Sequence, residues 1–210
     1  MTLRNLGNIP FRLSVLGAVF PENKAMPAKA KRLEDEGNII RLKRGLYVVS
    51  PEISDTKIDE YLIANHLYGP SYVSMQTALR YHGLIPERVD ETLSMTVGIS
   101  KTFLNKIGRF RYVHCPDEYF SIGITSVTDG SVSFLVATPE KALCDLIAYT
   151  PNLNLRYSAE IREYIEENLR IDLDDIKGFN LEILRECALV GKKKKMISKL
   201  IDIIENERNV

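Results

Sequence analysis

Between residues 26 and 49 the hydrophobic positions change from a helical to an alternating period. At about 100° per residue, Met26, Ala30, Leu33 and Gly37 fall in one narrow stripe, while Ala28, Lys29, Lys31, Arg32 and Glu36 spread over the remaining face. Pro27 suits a first helical turn and Gly37 suits the residue after the last, so the spacing predicts a helix from Pro27 to Glu36. Ile39-Ile40-Arg41-Leu42 and Leu46-Tyr47-Val48-Val49 then read as two strands around the turn Lys43-Arg44-Gly45, and Pro51 ends the second. Upstream, Phe11 to Phe20 reads as another helix, joined to the first by Pro21-Glu22-Asn23-Lys24. Only about ten residues precede Phe11, so the first helix of a three-helix unit is expected to be very short or absent.

The remainder alternates helices with β-rich runs. Asp55 is a good N-cap for a helix that Gly69 stops, and Ser74 can cap a second, Met75 to His82, closed by Gly83. Strands are predicted over Leu93 to Val97, Phe110 to His114, Phe120 to Val127 and Val132 to Ala137, with Asp129-Gly130 as the hairpin signal between the last two. Thr138-Pro139-Glu140 opens a helix with cap, first-turn proline and first-turn acid in order, and Ala142, Leu143, Leu146 and Ile147 form its apolar face. From Tyr157 the chain reads as three or four helical segments ending near Glu207. The expected class is α+β: an N-terminal winged helix-turn-helix over residues 1–52, then a mixed α/β domain over 53–210. That second domain has a largely antiparallel sheet and a helical C-terminal part from about residue 156.

Charge sharpens this division. The 210 residues carry no net charge, but residues 1–50 hold nine Lys and Arg against four Asp and Glu, a net of +5. Residues 51–150 carry −4 and residues 151–210 carry −1. A basic head on an acidic body is what a DNA-binding module joined to a partner domain of another kind displays. Lys24 in the joining turn, Lys29, Lys31 and Arg32 on the helix, and Arg41, Lys43 and Arg44 at the hairpin tip are the candidate DNA contacts; a solvated face of a structural cap would also carry them. No run approaches the ~20 apolar residues of a membrane span, and the N-terminus lacks a signal-peptide pattern, so a cytoplasmic location is expected.

Catalytic signatures are weak. Cys115, Cys144 and Cys187 are separated by 29 and 43 residues and read as buried thiols, and the three histidines have no zinc-ligand spacing, so neither metal nor cofactor is expected. Asp129, Glu140 and Lys141 could be read as a metal-dependent nuclease cluster, but adjacent Glu and Lys point to different helix faces. The plainer expectation is that Glu140 serves the helix dipole and Lys141 is solvated. Ser74, His82 and Cys144 lack a nucleophile elbow, and no phosphate-cradling glycine motif occurs. Lys192, Lys193, Lys194 and Lys195 precede an apolar-periodic helix, where they oppose the dipole; this marks them as a candidate secondary contact for phosphate or a partner.

Several motifs together resemble the AbiE-type antitoxin family. They are Arg44-Gly45-Leu46-Tyr47, Ala64-Asn65-His66-Leu67-Tyr68-Gly69-Pro70-Ser71-Tyr72-Val73-Ser74, Ala78-Leu79-Arg80-Tyr81-His82-Gly83-Leu84-Ile85-Pro86 and Ala137-Thr138-Pro139-Glu140-Lys141-Ala142-Leu143-Cys144-Asp145-Leu146. The resemblance covers about residues 27–147. It implies a regulator from a bacterial type IV toxin–antitoxin or phage-defence locus, whose winged helix represses its own promoter. It also implies a non-catalytic C-terminal domain that counters a nucleotidyltransferase-type toxin encoded nearby. DNA contacts would fall on Lys29, Lys31, Arg32, Arg41, Lys43 and Arg44, and the Tyr-Val-Ser, His-Gly-Leu and Pro-Glu-Lys-Ala-Leu motifs would be scaffold. Homodimerisation stays open. The alternatives are a protein-binding antitoxin or adaptor without DNA binding and, more distantly, a nuclease-related enzyme.

Overall fold

A computed structural model describes residues 2–86, 90–130 and 132–209. The chain is mixed α/β, with a three-stranded and a six-stranded sheet. A one-turn 3-10 helix, Leu3–Leu6, leads into strand β1, Phe11–Arg12, then helix α1, Leu13–Val19, and helix α2, Met26–Asp35. Strands β2, Ile39–Lys43, and β3, Leu46–Val49, follow, and the sheet order is β1-β3-β2, antiparallel throughout. The helix expected from Phe11 therefore begins two residues late. Phe11 and Arg12 pair with Tyr47 and Leu46, and the Phe11 ring stacks on Tyr47 with centroids 6.1 Å apart. Helix propensity is a fraction of a kcal/mol per residue, which burying an aromatic ring outweighs.

α2 agrees closely with its sequence pattern. Ala30 and Leu33 are buried, Pro27 lies in the first turn, and Gly37 takes φ +75° while its N–H donates to Glu34 O. Gly45 adopts φ +76° in the β2–β3 turn, beside a bulge between Arg41 and Lys43.

The body begins with the single-turn helix α3, Pro51–Ser54, and helix α4, Glu60–Leu67. Asp55 is not the cap of α4: it closes α3 in the left-handed region, and Asp59 caps α4 by accepting from Tyr61 N and Leu62 N. Next come β4, Ser71–Val73; α5, Met75–Tyr81; β5, Glu91–Thr96; β6, Lys101–Leu104; β7, Arg109–His114; α6, Asp117–Phe120; β8, Ile124–Asp129; and β9, Val132–Ala137. The sheet order is β6-β7-β5-β4-β9-β8. It is less antiparallel than expected, because β5 pairs parallel with β7 and β4 parallel with β9. The strand expected from Phe120 starts at Ile124, since Asp117 to Phe120 turn as a helix that buries Tyr119. β8 and β9 pair with Asp129 opposite Val132; the turn predicted there includes residue 131, which lies outside the described residues.

Helix α7, Pro139–Tyr149, starts as its cap signals, with Thr138 Oγ1 accepting from Lys141 N. The helical C-terminal part comprises α8, Ser158–Glu163, running on into a π-helical turn, Tyr164–Asn168, then α9, Leu173–Ile176; α10, Leu181–Val190; and α11, Lys194–Arg208. No helix among the described residues is long and apolar enough to cross a membrane.

Two cores result. The head core gathers Phe11, Leu16, Ala30, Leu33, Ile39, Tyr47 and Val49. The body core includes Leu42, Leu46 and Val48 from the same hairpin. Side chains alternate across a strand, so β3 sends Tyr47 and Val49 into the head and Leu46 and Val48 into the body. The hairpin is a shared wall between the two cores.

Candidate nucleic-acid interface

The seven cations singled out in the head separate into distinct groups. Lys24, Lys31 and Arg44 are exposed and make no ion pair or ring contact among the described residues. Lys29 is half-buried, with its ammonium 4.2 Å from the centre of the Phe20 ring. Arg32 pairs with Glu36 at 2.7 Å, a hydrogen bond that pushes its already high pKa further up. Arg41 pairs with Glu34 at 2.7 Å and lies over the Tyr47 ring, so it ties the hairpin to α2.

Lys43 departs from the expectation of a free tip cation. Its Nζ donates to Leu67 O at 2.5 Å and lies 5.8 Å from the Phe103 ring centre. Burial first, then the charges of Lys101 and Arg12, hold its ammonium below the usual lysine range. The bulge at Arg41/Lys43 and the cover of the body turn this side chain inward. Lys43 is a strut between head and body, reinforced by Asn105 Nδ2 donating to Leu42 O and Asn8 Nδ2 donating to Lys57 O.

Arg12 was missed because the sequence pattern assigned it to a helix. It is exposed on β1, opposite Leu46 and next to the β2–β3 turn, where Leu13 N donates to Gly45 O. The free positive charge of the head therefore lies at the start of α2 and around the turn. Of the four acids in residues 1–50, Glu34, Asp35 and Glu36 lie at the end of α2, and Glu22 lies in the turn before its start.

The tetralysine is mostly spent inside the molecule. Lys193 Nζ donates to Thr150 O at 2.7 Å, at the C-terminal end of α7, and Lys194 Nζ donates to Leu189 O near the end of α10. Lys192 lies over the Tyr149 ring at 4.9 Å, and Lys195 is exposed. Cations satisfy the orphan carbonyls at helix C-termini, which accounts for lysines that looked misplaced at the start of α11.

The motifs of the body converge on a sealed polar cluster. Lys141 is fully buried, in contrast to the solvated side chain expected: its Nζ lies 3.2 Å from Asp145 Oδ1 and donates to Tyr119 O at 2.9 Å. Asp145 Oδ2 accepts from Tyr72 OH at 3.0 Å and from Ser74 Oγ at 2.6 Å. Ser74 thus spends its hydroxyl on Asp145 rather than on capping α5. Burial, followed by the Asp145 charge, drives the Tyr72 phenol well above its ordinary pKa. His82 Nε2 lies 2.8 Å from Ala137 O and ties α5 to β9.

Glu140 Oε1 accepts from Asn180 N at 2.9 Å, fastening α7 to the start of α10. Asp129 lies at the far end of β8, roughly 17 Å of extended chain from the end that meets α7, so the three residues of a nuclease cluster are not assembled. The three cysteines are buried.

A cleft of about 990 Å³ opens beside α4 and α5, lined by residues including Lys57, Glu60, Tyr61, Tyr81, Glu91 and Arg109. Glu91 is committed to Arg109 at 3.3 Å and Arg111 at 2.9 Å. Among the described residues, no group of three or more His, Cys, Asp or Glu is arranged to hold a metal ion. No protein-family model and no curated protein matches the chain.

Proposed function

We propose that the chain is a bacterial DNA-binding transcriptional regulator whose head works as a winged helix-turn-helix, while its body meets a protein partner. The order of the head elements carries this reading: a one-turn helix, β1, α1, α2, β2 and β3, with strands ordered β1-β3-β2. In such an order α2 is the second helix of the pair and the β2–β3 turn is the wing. The N-terminal residues of that second helix meet base edges, and cations around them hold phosphates. Lys24 precedes α2, Lys29 lies in its first turn, Lys31 lies near its middle, and Arg44 lies at the turn. The carboxylates at the other end of α2 are in part neutralised by Arg32 and Arg41, which lessens their repulsion of a phosphate backbone.

The resemblance to AbiE-type antitoxins extends the proposal. The chain would repress its own promoter and counter a nucleotidyltransferase-type toxin encoded beside it. Co-purification with the product of the adjacent reading frame tests that extension; failure of the two to associate contradicts it.

A second reading, a protein-binding adaptor without DNA binding, draws on Arg32, Arg41 and Lys43 having intramolecular partners. Binding of the purified chain to its upstream duplex and to an unrelated duplex separates the two. The regulator is expected to prefer the upstream duplex. Lys31→Ala should narrow that preference, and each lost base contact costs about 1–3 kcal/mol. Absence of binding to either duplex at about 50 mM salt rejects the regulator in favour of the adaptor.

A further inference from the structure

The corner where the hairpin meets the body carries more positive charge than the head alone supplies. Lys101 is the first residue of β6, one of the two edge strands of the large sheet. Its ammonium lies 5.0 Å from the Phe103 ring centre, the same ring that Lys43 approaches at 5.8 Å. Asn105, just past the end of β6, donates to Leu42 O, so this end of β6 meets β2. Arg12 and Arg44 flank the turn of the same hairpin. The body therefore brings Lys101 to the wing from nearly 60 residues downstream.

Among the described residues, no carboxylate lies within ion-pair distance of Arg12, Lys43, Arg44 or Lys101. The charges of Lys101 and Arg12 both disfavour the ammonium form of Lys43. A like-charged corner without an acid is a cost to the folded state, and it creates a field that attracts polyanions. Lys101 lies outside the basic head, in a segment of the chain that is net acidic. Arg12, Arg44 and Lys101 are exposed, whereas Lys43 is turned inward to Leu67 O.

We propose that Lys101 completes, with Arg12 and Arg44, a second phosphate-binding corner, so that a DNA backbone engaged by α2 runs on over the head–body junction. The ligand is the phosphodiester backbone of double-stranded DNA. The proposal rests on the regulator reading above. It adds that the body is part of the interface.

Affinity for the upstream duplex should be measured against salt for the full chain, Lys101→Ala and Lys101→Arg, with thermal melting of each. Each phosphate contact contributes about −0.9 to the slope of log K against log salt. Lys101→Ala is expected to flatten the slope by about one and to weaken binding roughly three- to tenfold near 0.1 M salt. Lys101→Arg should keep the wild-type slope. If the alanine variant also melts lower, the arginine variant decides: retention of the slope supports the corner, and its loss overturns it. An unchanged slope in Lys101→Ala overturns the corner while leaving the regulator reading intact. A wild-type chain that binds no duplex at low salt overturns both.

Discussion

Lys43 and Arg44 are neighbours in the chain with opposite environments, and substitution should separate them. Lys43→Ala removes a charged hydrogen bond to Leu67 O, worth about 1.5–3 kcal/mol, and should lower the melting temperature with little change in salt dependence. Arg44→Ala should leave melting unchanged and weaken binding to every duplex, flattening the salt slope by about one. Equal effects of the two on binding would mean that Lys43 leaves Leu67 to reach phosphate.

Arg41→Ala, by contrast, breaks a partly exposed pair with Glu34 and should cost only about 0.2–1 kcal/mol. His66 supplies a pH test. Its ring reaches the surface but is partly desolvated by its neighbours, which lowers its pKa, so below the unfolded value of about 6.5 the unfolded state takes up a proton that the folded state resists. Stability should therefore fall slightly as pH drops through about 6.5, and His66→Gln should make that fall shallower. An identical pH profile in the variant would remove His66 as the source.

At the level of elements, α7 shows what a buried ion pair demands. Removing Asp145 alone leaves the Lys141 charge in a dry core, and Asp145→Ala should cost about 3–5 kcal/mol by denaturant titration. The double variant Lys141→Met, Asp145→Leu should be less destabilised than either single change. Additive losses would show that the two charges do not depend on each other.

α7 and β9 were legible in the sequence because their determinants are local: a Thr-Pro-Glu start, and an alternation of burial along Val132 to Ala137. β6 was not, since Lys101 to Leu104 has no alternating apolar face and is held by pairing with β7. The same limit applies to the candidate interface. Lys24, Lys31 and Arg44 could be picked from local charge, whereas the inward turn of Lys43 depends on Leu67 and Phe103 far along the chain. Arg12 was hidden by a helical pattern that pairing of β1 with β3 overrides.

The whole molecule is joined through β3. A boundary at residue 52 follows the sequence pattern, but cutting there would expose Leu42, Leu46 and Val48, which are buried in the body core. Each such side chain contributes about 1.5–3 kcal/mol when buried, so a fragment of residues 1–52 should be unfolded or aggregated. The full chain should melt in one transition by circular dichroism and by tyrosine fluorescence. Two separated transitions would show instead that head and body are independent. The same junction brings Lys101 near the β2–β3 hairpin, and on the proposed DNA-binding role it sets how the body approaches a duplex.

Fluorescence anisotropy of the intact chain on its own upstream duplex, titrated between about 50 and 200 mM salt, bears most directly on the proposed DNA-binding role. About four to six phosphates neutralised by the head and its junction give an expected slope of log K against log salt near −4 to −5. A flat dependence, or no binding at the lowest salt, would contradict it.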